Sequence, residues 1–203
     1  MGKINRQVFK KEISKAFSKS KVKHLAFEEA QKKIDRIRRE ALIEFKQHPV
    51  SKELRSGKSA NNISNTLGGR GNLFTFIGFQ EGEDPTFIVE RAIQDIRINR
   101  TPRIREIGRS GRYEIAFTAT FPNVKSLESV TPMPFEGGRS WLTAIERGIS
   151  GLSYYIYSRV NDIKASRSGK GIQSDSPYIP GLKYRPVGYI SSILGKIRNR
   201  IKS

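Results

Sequence analysis

The chain has 203 residues, 36% of them hydrophobic, and a formal net charge of +19. That length suits one domain with extensions, and that charge points to an acidic polyelectrolyte as neighbour, nucleic acid before an anionic membrane. There is no cysteine, which excludes disulfides, thiolate-bound zinc and a cysteine nucleophile, and no apolar run approaches the roughly 18 residues of a membrane-spanning helix.

The charge is uneven. Residues 1–58 hold 17 Lys/Arg against 7 Asp/Glu, residues 59–138 hold 9 of each, and residues 139–203 hold 12 against 3. A neutral centre therefore lies between two cationic flanks. The N-terminus is basic without the apolar stretch of a signal peptide.

Residues 1–21 form a Lys-rich arm in which Val8, Ile13 and Phe17 can share one weak helical face. Val22 to Gln47 reads as a long helix. Phe27, Ala30, Ile34, Ile37, Ala41 and Phe45 recur at three and four residues and make one apolar stripe. Lys32, Lys33, Arg36, Arg39 and Lys46 fall largely off it. Glu28–Lys32, Glu29–Lys33 and Asp35–Arg39 are spaced to support the helix, and Glu40–Glu44 to oppose it. The basic face reads either as a contact surface for DNA or an acidic partner, or as a solvated helix face. His48-Pro49 ends the helix, because the residue before proline avoids the α region.

Ser56 to Asn72 reads as a polar, glycine-rich loop with Ile63 and Leu67 as its apolar residues. Arg55-Ser56-Gly57-Lys58-Ser59 resembles part of a phosphate loop, but position 52 is lysine where glycine is needed and no strand precedes it. Asn62-Ile63-Ser64 matches a glycosylation acceptor by chance.

The centre runs from 73 to 121. Leu73 to Phe79 is predicted as a strand. Asp84 caps and Pro85 opens a helix to about Ile96, with Phe87, Ile88, Ala92, Ile93 and Ile96 on its buried face. Arg103–Ile107 and Arg112–Phe121 are the arms of a hairpin with Gly108–Gly111 at its tip. In the second arm Tyr113, Ile115, Phe117, Ala119 and Phe121 alternate with Arg112, Glu114, Ala116, Thr118 and Thr120, the period of a half-buried strand. Arg97, Arg100, Arg103, Arg105, Arg109 and Arg112 either face an anion or pair with Asp95, Glu106 and Glu114.

Residues 122–139, rich in proline and glycine, read as a loop or module boundary. Ser140 caps a helix from Trp141 with Leu142, Ile145, Ile149 and Leu152 as its stripe. Tyr154, Tyr155 and Tyr157 suit base stacking, a subunit interface or a core. Ser166 to Arg185 is an irregular Gly/Ser/Pro-rich stretch. Gly188 to Ile201 closes the chain as a short basic helix, lined by Ile190, Ile193, Leu194, Ile197 and Ile201 on one side and carrying Lys196, Arg198, Arg200 and Lys202 elsewhere.

Catalytic signals are missing. His24 and His48 stand at opposite ends of one helix, about 36 Å apart, and share no site. Glu81, Glu83 and Asp84 are the acids a nuclease would need around Mg²⁺, but three neighbouring acids in a turn ordinarily face solvent. No catalytic residue, metal ligand or cofactor is expected.

The order of a long basic helix, His48-Pro49-Val50-Ser51-Lys52-Glu53-Leu54, a polar loop and Phe76-Ile77-Gly78-Phe79 resembles the head–tail connector and tail-completion (neck) proteins of tailed bacteriophages. Gly138-Arg139-Ser140-Trp141-Leu142 and Ser168-Gly169-Lys170-Gly171-Ile172-Gln173 are similar to segments of virion structural proteins in such phages, and the resemblance covers about two thirds of the chain. It implies a non-enzymatic subunit of a homo-oligomeric ring between portal and tail. The ring would surround the DNA channel, with portal or adaptor and tail-tube proteins as partners. Its place would be the virion, and the host cytoplasm during assembly, with no membrane partner. The alternative is a non-virion nucleic-acid-binding protein that grips phosphates through its basic flanks.

The expected architecture is α+β: a small antiparallel sheet with the long helix packed on it and basic extensions at both ends. The divisions are an arm over 1–21, a core over 22–121 and a helical or irregular extension over 122–203. Lys32, Lys33, Arg36, Arg39, Arg198 and Arg200 are the candidate contacts for DNA or an acidic partner. Arg109, Tyr113, Pro132, Phe135 and Trp141 are the candidate subunit contacts.

Overall fold

The computed structural model describes residues 20–69, 71–107, 112–134, 139–148 and 184–202. The fold is α+β. Helix α1 (Ser20–Gln47) runs along the body and is followed by α2 (Pro49–Arg55), a single 3₁₀ turn (Gly57–Ser59), α3 (Leu73–Ile77) and α4 (Thr86–Gln94). Strands β1 (Arg97–Ile98), β2 (Arg103–Ile107), β3 (Arg112–Ala116) and β4 (Ala119–Thr120) come next. Helices α5 (Val124–Glu128), α6 (Trp141–Arg147) and α7 (Ile190–Lys202) complete the described order.

The expected stripe of α1 is its packed face: Ile34, Ile37, Ala41 and Phe45 are buried, and Phe27 and Ala30 are half-buried against the same core. The expected ion pairs form one residue short of the expected spacing. Lys32 pairs with Glu29, and Arg38 rather than Arg39 pairs with Asp35. At the end of α1 the chain bends at His48. His48 Nδ1 then accepts a hydrogen bond from Val50 N at 3.3 Å, and Pro49 takes the first position of α2, where its missing N–H costs nothing.

Where a strand is expected over Leu73–Phe79, Leu73–Ile77 is a helix. Asn72 caps it, its Oδ1 accepting from Thr75 N at 2.8 Å. Gly78, at φ 89°, ends it: Gly78 N donates to Thr75 O and Phe79 N to Phe74 O, while the Phe74 and Phe79 rings meet at 5.6 Å. That is a Schellman stop with its apolar clasp. Four of its five residues are buried, so an alternating pattern carries no information about period.

The hairpin forms between β2 and β3, antiparallel from Arg103↔Ala116 to Ile107↔Arg112. Its second arm is shorter than expected. The chain breaks at Phe117 and Thr118, and β4 leaves to pair with β1 through Arg97↔Thr120 and Ile98↔Ala119. Phe117 turns onto α1, its ring edge-on to Phe27 with ring centres 5.8 Å apart. On α4 the buried residues are Thr86, Val89 and Ile93; Phe87 and Ile88, expected inside, are exposed. Asp84 Oδ1 accepts from Thr86 N at 2.9 Å, but the N-cap position of α4 is Pro85, one residue later than expected.

Residues 122–139 are not all loop, since Asn123 and Ser126 form a reciprocal capping box that opens α5. Ser140 caps α6 as expected, and Gly148 at φ 92° ends it; Ile149 and Leu152 lie outside the described residues. Helix α7 buries Ile190, Ile193, Leu194 and Ile197 as expected. The buried cluster continues across the expected boundary at 121/122: Trp141, Leu142, Ile145, Tyr189 and α7 join the residues of α1 to α4 in one core.

Candidate functional site

Helices α1 and α7 lie against each other and bring the two basic ends of the sequence together. Lys196 pairs with Glu44, and Arg200 reaches Glu40 at 3.4 Å and Glu44 at 3.8 Å. Numbering rises on α7 as it falls on α1, so the two helices are antiparallel. Glu40 and Glu44, which repel along α1, are thereby neutralised by α7.

The six expected contact residues divide accordingly. Lys32 is exposed, and the hydrogen bond from its ammonium to Glu29 at 2.8 Å raises its pKa. Lys33 is half-buried, whereas Arg36 and Arg39 are exposed. Among the described residues neither arginine has an acidic partner. Arg198 points to the far side of α7, its guanidinium 5.8 Å from the centre of the Phe121 ring. Arg200 is engaged with α1. The six therefore do not form one patch. Lys32, Arg36 and Arg39 share the solvent face of α1, and Arg198 and Arg200 perform packing roles.

Of the expected subunit contacts, Trp141 is corrected. It is only 2% exposed, with its ring 5.9 Å from Phe79, and it is a core residue. Its apolar area makes it too well buried to meet a neighbour. Pro132 is exposed and bridges to Ser140 through its backbone. The Tyr113 backbone pairs with Glu106 in the hairpin. Arg109 and Phe135 lie outside the described residues, as do the tyrosines at 154, 155 and 157. In the arginine-dense passage Arg105 pairs with Glu114, and Arg100 sits 5.8 Å from the Phe27 ring centre.

The loop containing Gly57 and Lys58 faces the turn at 81–84 across an open cleft of about 630 Å³. Its charges are committed internally. Lys58 pairs with Glu81, Arg55 pairs with Glu90, Glu83 Oε2 accepts from Gln80 N at 2.6 Å, and Asp84 Oδ1 accepts from Thr86 N and Thr86 Oγ1. Glu81, Glu83 and Asp84 therefore face separate partners, and no group of three or more metal-ligating side chains occurs among the described residues. Gly57–Ser59 closes a 3₁₀ turn and runs into extended Ala60, so no helix N-terminus stands behind it to hold a phosphate.

Three polar arrangements, two of them fully buried, escaped the reading of the sequence. The Glu53 carboxylate is fully buried and ties down the 60–73 loop. Its Oε1 accepts from Leu73 N at 2.6 Å and Asn62 Nδ2 at 2.9 Å, and its Oε2 from Ser64 Oγ at 2.6 Å and Ser64 N at 3.1 Å. Asn62 Oδ1 in turn accepts from Leu67 N and Gly69 N. The apparent glycosylation acceptor is thus the interior of a loop.

Glu90 receives Lys46 from α1 and Arg55 from α2. Burial works to raise its pKa, but these two cations outweigh burial and hold it below the ordinary value. Tyr189, without exposure, stacks on Phe45 and lies tilted against His48, and its hydroxyl meets Ser51 Oγ at 2.6 Å; burial pushes its pKa upward. The signal for Glu53 was present: an acid at a helix end followed by Asn, Ser and Thr in a loop short of apolar residues.

No helix among the described residues is long and apolar enough to cross a membrane. Comparison of the chain with family models, with curated proteins and with solved structures finds no match.

Proposed function

We propose that the protein is a structural subunit of a head–tail connector, a neck or tail-completion ring that joins the capsid portal to the tail around the DNA channel. The observation that carries this reading is the antiparallel seating of α7 on α1. It gathers cationic helices from the two ends of the chain into one layer. α1 carries eight Lys/Arg against five Asp/Glu, and α7 four against none. A wall with a positive excess suits a channel through which polyanionic DNA passes by sequence-independent contacts. The resemblance of the His48–Leu54 and Phe76–Phe79 segments to neck proteins supports the same role. The acids a nuclease would use are held in hydrogen bonds and ion pairs, which supports a structural reading over a catalytic one.

Electron microscopy of the full chain, alone and with portal and tail proteins, tests the reading. Annular particles with an opening wide enough for duplex DNA are expected. Particles that stay single in every mixture would overturn it. The second reading, a non-virion nucleic-acid-binding protein, draws on the same basic layer and would instead show tight, salt-sensitive binding to free duplex.

A further inference from the structure

The solvent face of α1 has a repeat of its own. Leu25, Glu29, Lys32, Arg36, Arg39 and Ile43 follow one another at intervals of four, three, four, three and four residues. Those are the intervals of a line along one face of a helix, and a partner helix laid on that face would meet its residues in that order. The seam is about 27 Å long. Its ends are apolar and open, Leu25 at 53% and Ile43 at 55% exposure, and its middle is cationic. The neighbouring helices leave it uncovered. α7 engages Glu40 and Glu44 on one side, and α4 engages Arg38 and Lys46 on the other.

We propose that this face docks an acidic helix of a partner protein. The two arginines without acidic partners, with Lys32 beside them, call for carboxylates at the centre of the partner's seam. The apolar ends call for apolar residues that seal those ion pairs from water. Glu29 and Lys32 are both largely exposed, so their pairing is weak and leaves Lys32 free to exchange partners.

DNA, which the proposed ring would pass along this layer, is the competing occupant of the face; it would meet Lys32, Arg36 and Arg39 but leave Leu25, Ile43 and the Glu29 carboxylate against phosphates, and the test below separates the two. A second copy fits less well. Antiparallel pairing of two such faces sets Leu25 against Ile43 and Glu29 against Arg39, but places Lys32 against Arg36 twice at the centre of the seam, in a chain already at +19. The inference stands on the helix face and requires no ring.

The test uses the full chain and fluorescence anisotropy with three probes. One is a synthetic acidic helix of about six turns, with Leu at the two ends of its seam and Glu between them. The others are the same residues in scrambled order and a short DNA duplex. The helix is expected to bind at least about ten-fold tighter than the scrambled peptide. Arg36→Glu with Arg39→Glu is expected to remove that preference, as are the uncharged changes Leu25→Ser and Ile43→Ser, with duplex binding unaffected by the last two. Arg36→Gln with Arg39→Gln gives the same reading should the Glu pair disturb the helix. Equal binding of the two peptides would overturn the proposal. So would arginine variants that weaken only the duplex, or an oligomer of the chain that Ile43→Ser disperses.

Discussion

At the scale of single residues, Glu53 is the largest departure from what composition suggests. A carboxylate with no exposure ordinarily needs a cation, yet this one is satisfied by two backbone N–H groups, an amide and a hydroxyl. Each such charge-assisted bond contributes about 1.5–3 kcal/mol, and a buried donor left unpaired costs a similar amount. Glu53→Gln, which turns one amide N–H₂ toward donors, is expected to lose about 2 kcal/mol in urea unfolding, and Glu53→Ala more. A loss under about 0.5 kcal/mol, typical of a surface change, would show that the knot is not structural. His48 gives a pH dependence. Burial is the leading cause of its lowered pKa, with the hydrogen bond to the Gly188 backbone opposing it. The unfolded chain therefore takes up a proton first as pH falls. Stability is full above the unfolded value of 6.5 and declines as pH drops through the lower folded value. Urea midpoints across that range check the sign, and His48→Gln is expected to flatten the curve there.

At the scale of elements, the sequence was most legible where a polar and an apolar face alternate. α1 and α7 have stripes of the right period, and each is bounded where the pattern ends. It was least legible where all sides are covered. Residues 73–79 carry phenylalanine and isoleucine in strand-like order, but the helix there is set by its ends, Asn72 and Gly78. The local signal was in the caps, and the apolar period masked it. Asn72→Ala is expected to cost about 1 kcal/mol as a lost N-cap. Gly78→Ala is expected to cost about 1–2 kcal/mol, because a side chain at φ 89° is strained. Thermal unfolding of the two variants checks this; a neutral Gly78→Ala would mean the stop is not held by its left-handed turn. α4 shows the opposite limit. Its amphipathic pattern allowed Phe87 inside, and only the packing of α1 and α2 around Glu90 fixes which face is covered.

At the scale of the whole molecule, charge counts located the basic flanks but not their meeting. The flanks lie 152 residues apart at the Lys196–Glu44 pair, and nothing periodic announces such a contact. Tyr189 shows why the C-terminal segment is no appendage: it fills the core between Phe45, His48 and Ser51. Ending the chain before Tyr184 is expected to abolish cooperative unfolding, because it removes Tyr189 and the four buried apolar residues of α7 together. Burial of such side chains contributes about 1.5–3 kcal/mol each, which exceeds the margin of a typical domain when summed. A truncated chain that still unfolds cooperatively near the full-length midpoint would contradict this. The ring role rests on the seating of that same helix. Its most direct test is native mass measurement of the full chain at low and high salt, with and without duplex DNA. One closed stoichiometry, or a monomer that assembles only on portal and tail partners and ignores free duplex, is the expected result. A monomer under all conditions that binds duplex tightly and releases it as salt rises would contradict the connector account.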